Sequence, residues 1–156
     1  MSVLLTASLS ATLPLSAASH VDVVKMRTEN QVNPLGIGTS TPRFSWQITS
    51  DKKGVVQTSY QILVASSREK LDRNEADLWD SGERKSDEQL WIPYQGKALL
   101  SGAQAYWKVR ITTNKGKSEW TEPQLFTIGL LGETKWSGTW IGLEDLQPGE
   151  QKGMHT

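Results

Sequence analysis

The chain has 156 residues, with seventeen Lys and Arg against seventeen Asp and Glu, seven Trp, two Phe and no Cys. That length suits one domain of ordinary size with some chain left over. Balanced charge without a long run of one sign argues against a nucleic-acid or anionic-membrane partner, which needs clustered Lys and Arg; with no Cys there are no disulfides or thiolate metal sites.

Residues 1–20 differ from the rest. Met1 to Ser19 carries no charged side chain, holds Val3, Leu4, Leu5, Leu9, Leu13 and Leu15, and ends in Ser16-Ala17-Ala18-Ser19. Small residues after an apolar stretch match the end of a secretory signal peptide, although the basic start is missing. Residues 1–20 therefore read as a signal-peptide remnant or a leader, and the protein as secreted or periplasmic. The stretch is too short and too rich in Ser and Thr for a membrane span.

Val21 to Met26 is the first expected strand. Thr28 to Pro42 follows as an irregular connection broken by Asn33-Pro34, Gly36, Gly38 and Thr41-Pro42. Arg43 to Thr49 alternates, with Phe44, Trp46 and Ile48 on one face. Asp51 to Gly54 is a hairpin-like turn. Thr58 to Ala65 puts Tyr60, Ile62 and Val64 on one face and Leu63 on the other. Ser66 to Ala76 is polar, with room for one helical turn around Leu71. Leu78 to Gly82 and Gln89 to Tyr94 read as short strands, the second at an edge or strand end because of Pro93.

Trp107, Val109 and Ile111 then alternate with Lys108, Arg110 and Thr112, giving one dry and one wet face. Asn114-Lys115-Gly116 is a turn signal whose Asn and Gly tolerate positive φ. Leu125, Phe126 and Ile128 form a second β-rich run after Pro123. An antiparallel pair of this kind needs a second sheet over its apolar face. About seven short strands with no long helical period predict an all-β fold over residues 21–130: a two-sheet antiparallel sandwich of the immunoglobulin or fibronectin type III kind. Residues 131–156, rich in Gly and then polar, read as a C-terminal extension or linker.

Carboxylates invite a search for an acid/base pair, which glycoside hydrolysis needs. Glu69, Asp72, Glu75, Asp77, Asp80, Glu83, Asp87 and Glu88 crowd the middle of the chain. They follow no helix face and are interleaved with Lys70, Arg73, Arg84 and Lys85, so a solvated loop of mixed charge is expected. Asp72 to Asp80 lacks the alternate-residue spacing of a calcium loop. His20 and His155 sit at opposite ends, and no nucleophile, metal or phosphate-binding motif is present. The residues thus nominate no catalytic group, no metal ligand and no cofactor.

The tryptophans divide by position. Trp46 and Trp107 lie on dry strand faces and are expected in the core. Trp79, Trp91 and Trp120 lie near strand ends or turns, where they either stack on a sugar or pack a satellite core. Trp136 and Trp140 follow the last strand and read as anchors packing the outgoing chain against this sandwich or a neighbouring domain.

Several segments together resemble the N-terminal β-sandwich domain of bacterial α-L-rhamnosidases. They are Asn33 to Ile37, Thr41 to Trp46, Gln57 to Ser66, Asp77 to Gly82, Tyr106 to Arg110, Trp120, and Trp136 with Trp140-Ile141-Gly142. The resemblance spans about Lys25 to Gly142; each motif is weak, and their common order is specific. Two departures are visible: Ala105 stands where an aromatic is common, at the place of a fibronectin-type tyrosine corner, and Thr112-Thr113 where an aromatic and an acid are common.

The resemblance implies a non-catalytic accessory domain that packs against neighbouring domains of its own polypeptide. Residues 131–156 then lead towards a helical barrel that carries the catalysis and removes terminal rhamnose from glycans. The other readings are a carbohydrate-binding module using exposed Trp on a rhamnose-containing glycan, and a free-standing fibronectin-type interaction domain.

Overall fold

The computed structural model describes residues 21–132. The expectations for the leader, for Trp136 and Trp140, and for the rest of the C-terminal extension beyond Gly132 lie outside the described residues.

Strand β1 (Val21–Thr28) pairs with β2 (Arg43–Ser50), and β2 with the two-residue β5 (Ile92–Pro93), making a three-stranded antiparallel sheet. In the second sheet β3 (Gln57–Ala65) pairs with β4 (Trp79–Asp80) and with β6 (Gln104–Thr113). Strands β7 (Gly116–Lys117) and β8 (Gln124–Thr127) both pair with β6. The expected two-sheet antiparallel sandwich is the observed one. Helix α1 (Arg68–Asp72) is the single turn around Leu71, which is fully buried.

The two sheets close over one aromatic interior. Phe44 lies 4.4 Å from Trp107 and 5.8 Å from Phe126 between ring centroids, and Trp46 meets Tyr60 at 5.3 Å. Trp46, Trp107, Val109, Ile111, Ile62 and Val64 are all buried, as their alternation requires. Rings of this size fill a sandwich with few side chains, which accounts for Trp46, Trp79 and Trp107.

Three irregularities depart from simple alternation. Strand β1 holds one extra residue between Val24 and Arg27, with Lys25 at φ 50°, so inward-facing positions shift from Val21 and Val23 to Met26 and Thr28. The expected strand at Gln89 to Tyr94 shrinks to Ile92–Pro93 because Trp91 is left-handed at φ 58°. The strand returning from β6 is split. Between β7 and β8, the hydroxyls of Ser118 and Thr121 replace backbone carbonyls, accepting from the N–H groups of Ile111 and Val109 at 3.0 Å each. At the turn before β7 only Gly116 has positive φ; Asn114 uses its side chain instead, accepting from Val56 N–H and donating to Gly54 O.

The wet face of β6 is not wholly wet. Lys108 is buried, and Leu63, Ala65 and Leu71 form a small second core on that outer side, joined by Tyr106 and Trp120. The chain enters at Val21, opposite Ser50, and leaves past Ile128 beside Ala103, at the other end of β6 from Thr113.

Candidate functional site

The three tryptophans singled out for sugar stacking lie in three different places. Trp79 sits opposite Val64 in the β3–β4 register and is buried, its ring 5.4 Å from Tyr94 and 6.4 Å from Phe44. It has no face left for a ligand, so the stacking role is corrected to core packing. Trp120 lies on the outer face of the second sheet. Its ring is taken up by the protein's own cations, with Arg110 Cζ 4.4 Å and Lys108 Nζ 5.2 Å from the centroid. The Lys108 ammonium also donates to Leu71 O, closing α1, and to Asn74 Oδ1 at 2.7 Å. Burial pulls its pKa down, partly countered by Asp72 and Glu122. Trp120 is therefore the roof of a satellite core.

Trp91 alone of the three is exposed, at 41%. Its ring carries Arg43, with Cζ 4.2 Å from the centroid. Glu29 grips that guanidinium in a bidentate pair, Nε to Oε1 at 3.1 Å and the second nitrogen to Oε2 at 2.7 Å, and accepts the Arg43 backbone N–H at 2.8 Å. The Arg43 hydrogen bond holds the Glu29 carboxyl below its usual pKa, against the opposing effect of burial. Glu29, Asn30 and Trp91 all have positive φ, at 48°, 64° and 58°. Such conformations cost about 1–3 kcal/mol each in a bulky residue and persist only where the surroundings enforce them. Here Trp91 N–H donates to Ser45 Oγ at 3.0 Å. The arrangement offers a rigid aromatic face beside a fixed charge pair.

Several of the mid-chain carboxylates are held by local partners. Glu75 pairs with Arg73, Asp77 with Lys70, Asp80 accepts from Gln61, and Glu83 accepts from Ser59. Among the described residues, each carboxyl whose pKa is displaced (Glu29, Glu69, Glu75, Asp77, Glu83) is displaced downward. A general acid for glycoside cleavage needs the opposite shift. No three His, Asp or Glu among the described residues group as metal ligands, and no helix among them is long and apolar enough to cross a membrane.

Residues 23–132 match the family described as "Rha78A-like, N-terminal immunoglobulin domain". The chain belongs to this family. As a Rha78A-like immunoglobulin domain it is 39% identical over 127 residues to an α-L-rhamnosidase of Formosa agariphila, covering 80% of this chain and 13% of that one. It is 37% identical over 124 residues to the α-L-rhamnosidase of Streptomyces avermitilis. The crystal structure of the Streptomyces avermitilis enzyme complexed with L-rhamnose superposes with a TM-score of 0.73 at 36% identity, over 79% of this chain and 12% of that one. The α-L-rhamnosidase from Dictyoglumus thermophilum gives 0.72 at 36% identity, over 77% and 14%. This Rha78A-like chain spans 12–14% of the length of the curated relatives it matches.

Within the family domain, two features were hidden in the sequence. Arg43 and Glu29 are fourteen positions apart and meet only because β1 and β2 pair and Glu29 turns back at positive φ. At Ala105, the place of a fibronectin-type tyrosine corner, there is no aromatic ring, and a separate buried Tyr94 donates its hydroxyl proton to Lys97 O at 2.7 Å. Burial, aided by Asp77, pushes that phenol up to about 12. Ala105 itself is buried without a polar task. A Tyr three residues before a Lys-Ala-Leu-Leu turn, beside Gly96, was the available signal.

Proposed function

We propose that this chain is the non-catalytic N-terminal module of an α-L-rhamnosidase, a glycosidase acting on rhamnose-containing glycans, and that it packs against neighbouring domains of the same polypeptide. The observation that carries this is the match of nearly the whole described sandwich to an N-terminal domain of enzymes of whose length the matched stretch is 12–14%. The downward displacement of the carboxyl pKa values supports a structural rather than an acid/base role. The uncharged, apolar Met1 to Ser19 supports export from a bacterial cell. Purified chain incubated with an aryl rhamnoside is expected to show no turnover. Hydrolysis that a single carboxylate substitution abolishes would refute the reading.

A second reading is favoured by one observation, the exposed, conformationally enforced Trp91 ring beside the Arg43–Glu29 pair. In it that ring is a stacking face for a rhamnose-containing oligosaccharide. Titration followed by Trp fluorescence, with Trp91→Ala as control, decides it: a saturable change lost in the variant supports it, and a flat titration ends it.

A further inference from the structure

Three exposed leucines occupy the end of the sandwich from which the chain leaves. Segments 34–37, 100–103 and 127–131 are joined there: Ile37 N–H donates to Thr127 O and Gly129 N–H to Ile37 O, both at 2.8 Å. Ile128 N–H donates to Ala103 O at 2.8 Å, and Leu131 N–H to Ser101 Oγ at 2.9 Å. Gly36 and Gly129 approach so closely that a Cβ on Gly129 would stand 2.8 Å from Gly36 O. Each segment nonetheless sends one leucine into solvent: Leu35 is 76% exposed, Leu100 73% and Leu130 61%. Their neighbours Ile37, Leu99 and Ile128 are buried. The backbone is fixed, so this exposure belongs to the built surface rather than to a loose loop.

The same surface lacks charge. Although 22% of the chain is Asp, Glu, Lys or Arg, none of these residues occurs in 33–38, 98–103 or 128–132. Apolar side chains on charge-depleted ground are the composition of an interface centre. We propose that this end is the seat of the domain that follows in the polypeptide, with Leu35, Leu100 and Leu130 as its apolar contacts. This rests on the reading of the chain as an N-terminal module of a longer rhamnosidase. The geometry selects that occupant over others. Val21 enters at the Ser50 end and Gly132 departs at the leucine end, so whatever follows is tethered against the leucines and whatever precedes is not. The 12–14% coverage of relatives supplies the mass to cover them.

The test is carbene footprinting of the isolated chain and of the longer polypeptide that carries it. Labelling of Leu35, Leu100 and Leu130 is expected to fall about fivefold or more in the longer polypeptide, as for side chains entering a packed interface centre. Val56, exposed beyond the other end of β6, is expected to label alike in both. The variant L35S/L100S/L130S keeps the isolated chain's circular dichroism and melting temperature. In the longer polypeptide it makes this domain melt separately from the rest. Equal leucine labelling in both proteins, in a longer polypeptide that hydrolyses an aryl rhamnoside, overturns the docking surface and leaves the rhamnosidase reading standing. Lack of hydrolysis removes that reading and the proposal with it. Leucines already protected in an isolated chain that scatters light as a dimer assign the surface to a second copy, which also overturns it.

Discussion

At the scale of single residues, the two central tryptophans are buried alike but bonded differently. Trp46 Nε1–H donates to Gln57 Oε1 at 3.1 Å, and Gln57 is fixed by donating to Ser86 O and Glu88 O. Trp107 Nε1 is buried with no acceptor among the described residues. Trp→Phe removes the same atoms at both sites, but only at position 46 does it orphan a buried acceptor, worth about 1–3 kcal/mol. Trp46→Phe is therefore expected to destabilise more than Trp107→Phe by roughly that amount in urea melts. Equal costs would show that the Gln57 bond contributes nothing.

Gly96 is a position where the packing leaves no room for a side chain. A Cβ there would lie 2.5 Å from Leu78 O, Trp79 Cβ and Tyr94 Oη. Two of these are core or backbone atoms that cannot swing away, so Gly96→Ala should cost about 1–3 kcal/mol as an overpacking change. A melting temperature within a degree of the parent protein's would contradict this packing of Gly96 against Leu78, Trp79 and Tyr94.

At the scale of elements, Asp77 fixes the connection between β3 and β4. Burial pushes its carboxyl up, but hydrogen bonds from the Lys70 ammonium at 2.6 Å and from Ser66 N–H and Oγ outweigh that and bring it down to about 2, below the 3.8 of an unconstrained Asp. A folded pKa below the unfolded one means the unfolded chain binds the proton more readily. The stabilisation is thus complete above about pH 4 and is lost as pH falls towards 2. Since the ion pair is about one-third exposed, solvent screening limits it to on the order of 1 kcal/mol. Asp77→Asn should lower stability by that amount at pH 6 and hardly at pH 2, in guanidinium titrations at both. A constant difference between the two would exclude the linkage.

Strands long enough to alternate were legible: Phe44 and Trp46, Tyr60 to Val64, and Trp107 to Ile111 all bury the side their pattern requires. What escaped was set by tertiary contact. Lys108 reads as solvent-facing, yet it is covered because α1 and Trp120 fold back over it, which no local period encodes. Trp79 was ambiguous for a similar reason. A two-residue strand has no period, and only pairing with Val64 turns the ring inward. The leucines at 35, 100 and 130 lie outside the strands, where no alternating pattern tells which side chain is covered.

At the scale of the whole molecule, the interior is shared rather than divided between the sheets. Phe44 of β2 touches Trp107 of β6, Phe126 of β8 and Trp79 of β4, so one ring from the three-stranded sheet contacts three strands of the other. Neither sheet has an apolar face that it can bury alone, which ties their formation together. Unfolding of the isolated chain should therefore be one cooperative transition. Trp fluorescence, which reports the interior, and far-ultraviolet circular dichroism, which reports the strands, should give the same midpoint in urea. Phe44→Ala removes the shared ring and should cost about 3–5 kcal/mol while lowering both signals' midpoints together. Midpoints that separate in the parent chain, or a Phe44→Ala variant that moves one signal alone, would mean that one sheet stands without the other. The module would then depend for its closure on the domain it is proposed to seat.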